Sequence, residues 1–94
     1  MNNYNVWVND LYDMMKNDTF FSTYNIKLSI HNSEKENSGL AVHDYNLSKT
    51  LIIDSTSIKP FYNQIGEPRL SYQQSLGLAR GECMKTIKNW SGMD

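Results

Sequence analysis

With one cysteine in 94 residues, the chain cannot close an internal disulfide. Cys83 sits among apolar residues at helical spacing, which reads as a small buried group rather than a nucleophile. No apolar stretch approaches the roughly 18 residues of a membrane span. The start Met1-Asn2-Asn3-Tyr4-Asn5 has no basic stretch leading into an apolar run. The sequence therefore predicts a cytoplasmic protein with no membrane partner. An excess of charge of one sign is missing as well: the formal net charge is −1. So even a balance provides no broad field, which argues against nonspecific nucleic-acid binding and equally against a strongly acidic mimic of DNA. Internal repeats, low-complexity tracts and linkers are absent too, and a chain this short cannot divide its core, so residues 1–94 form a single domain.

The sequence is equally poor in chemistry. His31 and His43 are its only histidines, and a metal site needs three or four convergent ligands. No nucleophile-elbow motif is present. The Leu76-Gly77-Leu78-Ala79-Arg80-Gly81 run falls inside a predicted helix rather than at its start, which removes the geometry of a phosphate loop. The expectation is a protein without enzymatic activity, cofactor or metal.

What the sequence does have is periodicity. Tyr72, Leu76, Ala79, Cys83, Ile87 and Trp90 recur every three or four residues, and at about 100° per residue they fall within an arc of roughly 80°. This predicts one amphipathic helix from Ser71 to Gly92, opened by a Ser71/Gln74 capping box and stopped at Gly92. A first helix is predicted over about Tyr4 to Asn17, where Tyr4, Val8, Leu11 and Met15 keep helical spacing and Asn3 can cap. From Tyr24 to His31 the period changes to two, with Tyr24, Ile26, Leu28 and Ile30 inward. Leu40 to Tyr45 resumes that alternation with Leu40 and Val42 inward, and Thr50 to Asp54 reads as a more fully buried third strand. Pairing Ile30 near Leu40 places His43 opposite Lys27. Between Ser55 and Leu70, Pro60 and Pro68 interrupt helix and sheet alike, leaving room for one short helical turn. The expected fold is α+β, in the order α-β-β-β-α: a three-stranded antiparallel sheet with the N-terminal and C-terminal helices packed on one face.

Two surfaces are candidates for a partner. On the terminal helix, Gly77, Gly81 and Lys88, with Met84 beside them, project away from the packing stripe. Each glycine costs about 1 kcal/mol relative to Ala in a helix interior, a penalty the stripe does not explain. Two small residues four apart would let another backbone or a second copy approach closely, so a homodimer is one expectation. The second surface is the His31 to Gly39 loop, where Glu34, Lys35 and Glu36 stand at a hairpin tip. Arg80, Lys85 and Lys88 leave open a nucleic-acid-binding regulator, although cations near a helix C-terminus are favourable on dipole grounds alone.

Asn9-Asp10-Leu11, Lys16-Asn17-Asp18 and Tyr24-Asn25-Ile26-Lys27-Leu28-Ser29 together resemble the opening of small phage-encoded anti-CRISPR proteins that inhibit type II-A effector nucleases. The resemblance covers about the first third of the chain. It implies a helix leading into a three-stranded sheet, and a stoichiometric inhibitor of a host defence nuclease in the host-cell cytoplasm. Members of that family set acidic side chains against the effector's DNA-binding surface. Here Glu34, Glu36, Asp44 and Asp54 are the acidic residues on the predicted sheet and its loops, too few to imitate a run of phosphates. The resulting expectation is a phage or mobile-element protein that binds and inhibits a host protein. A nucleic-acid-binding regulator and a self-associating structural protein are the alternatives.

Overall fold

A computed structural model describes residues 3–32 and 38–92. Its elements run α1 (Tyr4–Lys16), α2 (Thr19–Thr23), β1 (Ile26–His31), β2 (Gly39–Asp44), β3 (Lys49–Ile53), α3 (Ser55–Asn63) and α4 (Tyr72–Ser91). The sheet has the antiparallel order β1-β2-β3. Its register matches the expected pairing, with Ile30 opposite Leu40 and Lys27 opposite His43. The α-β-β-β-α order and the α+β class are as the periodicity indicates, with α2 and α3 added between the principal elements.

One face of the sheet carries the core. Ile26, Leu28, Leu40, Val42 and Ile53 share that face and join Tyr4, Trp7, Val8, Leu11 and Met15 of α1 and Leu76, Ala79, Cys83 and Ile87 of α4 in one buried cluster. α1 therefore buries the stripe its spacing requires. Asn3 caps it by accepting from the Val6 N–H at 2.8 Å. At the centre Trp7 lies 6.0 Å from the Tyr4 ring and 5.8 Å from that of Tyr62, and its indole N–H donates to Ser75 Oγ at 2.9 Å. Burial pushes the Cys83 thiol up to about 12, so it stays neutral at physiological pH.

The opposite face of the sheet, carrying Lys27, Ser29, His31, Ala41, His43, Thr50 and Ile52, has no residue in that cluster, although Ala41 on the central strand is only 6% exposed. Ile52 is 44% exposed, which corrects the reading of β3 as a more fully buried strand. A single layer of helices covers one face only, so every second residue of an apolar strand is left outward.

Two helices depart from expectation. Asp18 caps α2, a helix of five residues, through its carboxylate on the Phe20 N–H, and Tyr24 then ends it. Tyr24 consequently lies outside the strand and is 38% exposed rather than inward. α3 continues through Pro60 over nine residues instead of breaking there. Pro60 removes one helical N–H, but Ile58 is fully buried and Phe61 and Tyr62 pack against the core, and this burial outweighs the missing bond.

Asp54 caps α3 by accepting from the Thr56 N–H and hydroxyl. The Thr56 hydroxyl, followed by the backbone N–H groups of Thr56 and Ser57, holds the Asp54 carboxyl below its ordinary pKa. A depressed folded pKa contributes stability that is present above the unfolded value and lost as pH falls through the folded one. Replacing Asp54 by Asn should therefore lessen the drop in urea midpoint between neutral pH and the acid side of the carboxylate range.

Candidate functional site

The terminal helix presents its glycines as the spacing implies. A Cβ added at Gly77 or Gly81 would meet nothing within 4 Å, and the intervening Leu78 is 50% exposed. Alanine at both positions should stabilise the monomer by up to about 1 kcal/mol each, or about 4–8 °C in Tm per substitution. Thermal melts check this, and sedimentation of the same double variant reads any assembly that needs close approach.

The neighbouring residues do not complete that face. Met84 is 6% exposed and belongs to the core, so it is not the open contact its position suggested. On the same side of the helix, α4 is joined to the α2 region, which periodicity did not reveal. Arg80, Met84 and Lys88 fall four apart on one line of α4. Arg80 donates to Asp18 Oδ2 at 2.7 Å, and the Lys88 ammonium lies 5.9 Å from the centre of the Phe20 ring. The Asp18 carboxylate thus caps α2 and ties it to α4, and Met84 lies between the two contacts along the helix. These contacts also occupy two of the three cations that a nucleic-acid regulator would use.

The acidic candidates are dispersed. Asp44 is 6% exposed, and its carboxylate accepts from the backbone N–H groups of Asn46 and Leu47, both at 3.0 Å. It shapes the β2–β3 turn, and little of it reaches the surface. Asp54 remains at the surface but serves as the α3 cap. Glu34 and Glu36 lie outside the described residues.

A different place brings shape and charge together. Beside β1 lies an open groove of about 380 Å³, lined by Tyr12, Lys16 and Asn17 from the end of α1, Phe21 and Ser22 from α2, and Ile26, Lys27 and Leu28 from β1. Its volume is at the small end of the roughly 300–1,000 Å³ usual for ligand sites. Three consecutive strand residues in the wall mean that the groove follows the strand's outer border. Among the described residues no strand pairs with that border, so β1 is an edge strand with unpaired backbone N–H and C=O groups.

The groove is apolar inside and cationic at the rim. Phe21, Ile26 and Leu28 are each 5% exposed. Lys16 lies 3.0 Å from Asp13 and 5.5 Å from the centre of the Tyr12 ring. The hydrogen bond and charge of Asp13 raise the Lys16 pKa, so it is cationic throughout the physiological range. Lys27 is exposed and has no ion-pair partner among the described residues. No lining residue is a carboxylate.

Sequence reasoning missed this groove because it depends on α2. A readable signal was present in Asp18-Thr19-Phe20-Phe21, a capping residue followed by aromatic side chains that need burial. Among the described residues no group of three or more metal-ligating side chains converges, and no helix is long and apolar enough to cross a membrane. No protein-family model, curated protein or solved structure matches the chain.

Proposed function

We propose that this chain is a protein-binding module acting by occupying a partner, and in its most specific form an inhibitor of a host protein such as a defence nuclease, encoded by a phage or mobile element. The observation that carries this reading is the unpaired edge of β1 beside an apolar groove. An edge strand is a template for another chain, because main-chain hydrogen bonds supply affinity while adjoining pockets sort side chains. The resemblance to anti-CRISPR inhibitors lends support from a separate direction: of the residues that carry it, Lys16, Asn17, Ile26, Lys27 and Leu28 line this groove.

Affinity capture from a bacterial host lysate tests the proposal when wild type is run beside Ser22→Tyr. Ser22 is exposed at the groove wall, so the larger side chain fills the groove without entering the core. A partner held by wild type and lost by the variant, at unchanged Tm, is the expected result. Equal recovery by both proteins, or no stable partner with wild type, would overturn it.

A further inference from the structure

We infer that the β1 groove takes an extended peptide segment that joins the sheet as a fourth strand, with apolar side chains on its helix-facing side and a carboxylate on the other, opposite Lys27. This rests on the protein-binding reading above and names the form of the partner.

The geometry follows from the period of a strand. Side chains of an added strand alternate between the two faces of the sheet. On the helix side they would lie beside Ile26 and Leu28 and meet Phe21 and Tyr12, a setting that favours apolar groups. On the other side they would lie beside Lys27, Ser29 and His31, the residues of β1 that face away from the core. Lys27 is the charged residue there and lacks an ion-pair partner among the described residues. A carboxylate directly across from it forms a favourable cross-strand pair.

The same charge argues against a second copy as the occupant. β1 reads Ile-Lys-Leu-Ser-Ile-His and contains no carboxylate. Pairing β1 with its own copy about a two-fold axis brings a second Lys27 and a second His31 to the same side of the junction. A lysine on an edge strand discourages such self-pairing. Lys27 thus disfavours the identical chain and favours an acidic one, which is how repulsion and attraction combine in a specific interface. Lys16 at the other end of the groove adds a positive charge at the rim, though Asp13 partly neutralises it.

The test uses three capped, fluorescently labelled eight-residue peptides of alternating valine and threonine, differing at one outward position that carries aspartate, asparagine or lysine. Anisotropy titrations should rank them aspartate, asparagine, lysine, with about three- to fivefold between neighbours, as expected for one cross-strand ion pair. Lys27→Glu should reverse the order, and Ser22→Tyr should weaken all three. Amide shift changes should centre on Ile26–His31 and the flanking turns of α1 and α2. An order that survives Lys27→Glu, or shifts centred on α4, would overturn strand addition at this site. So would absence of binding by every peptide. If lysate capture still distinguishes wild type from Ser22→Tyr in that case, the protein-binding reading stands and the extended acidic ligand alone is wrong. Concentration-dependent dimerisation with shifts on β1 would instead identify the occupant as a second copy, contradicting the proposal.

Discussion

Trp7→Ala should lower stability by about 3–5 kcal/mol, the range for removing a buried large aromatic. A domain of this size holds only about 5–14 kcal/mol in total, so the variant should melt at least about 12 °C lower or fail to fold cooperatively. The reason lies in how many elements meet at this side chain. Trp7 is fully buried on α1, contacts Tyr4 and Tyr62 of α3, and donates to Ser75 of α4. Ser75 in turn donates to the Tyr72 carbonyl at 2.7 Å, so one hydroxyl accepts from α1 and donates within α4. Phenylalanine at the same position separates the contributions. It keeps most of the apolar volume but leaves the Ser75 oxygen without its indole donor, a loss of about 1–3 kcal/mol for a buried polar group. Urea denaturation of both variants measures the two terms. A loss below about 1 kcal/mol for Trp7→Ala would mean that the three helices do not converge on this residue.

Gly39→Ala should destabilise the protein by about 2–3 kcal/mol, whereas the same substitution at Gly77 or Gly81 stabilises it. Gly39 opens β2 where the chain passes from β3 into α3. A methyl group there would collide with the Ile53 carbonyl oxygen and stand 3.0 Å from the Asp54 Cα. Both obstacles are backbone atoms, so the conflict cannot be relieved by a rotamer change and must displace the end of β3 or the α3 cap. The comparison holds the chemistry of the substitution constant and varies only its surroundings. Equal effects at Gly39 and Gly77 would contradict the strand-to-helix crossing described above.

The contrast among glycines shows where sequence patterns carry structural information. Gly77 and Gly81 were legible because a long helix has a strong period, and residues off its stripe face outward unless something else covers them. Met84 departs from that inference: it is buried on the line of α4 that meets Asp18 and Phe20, and the five residues of α2 are too few for a period to register. Tyr24 was misplaced for the same reason, since its alternation with Ile26 continues a strand pattern across the end of α2. The β1–β2 register was readable because a one-residue slip would turn Leu28 and Val42 outward. The exposure of Ile52 was not, because whether a strand has one covered face or two depends on the number of layers and not on the strand itself. Pro60 misled in the opposite direction: a local rule against proline in helices gave way to the burial of Ile58, Phe61 and Tyr62. Of the binding site, the β1 alternation could be read, but the groove arises where three elements meet, and one of them was missing from the sequence reading.

Asp18 supports the groove without lining it. Its cap on α2 and its ion pair with Arg80 hold Phe21 and Ser22 along the flank of β1. An ion pair that keeps this much contact with solvent on the Arg80 side contributes only about 0–1 kcal/mol, so its importance lies in position rather than stability.

Amide hydrogen exchange along Ile26–His31 tests the open edge most directly. In an edge strand, alternate amides point toward the neighbouring strand and are protected, while the others point to solvent. The free protein should therefore show fast and slow exchange alternating along β1, and a bound partner should slow the fast set. Uniform protection of β1 in the free protein, or an alternation unchanged in a complex, would contradict the account.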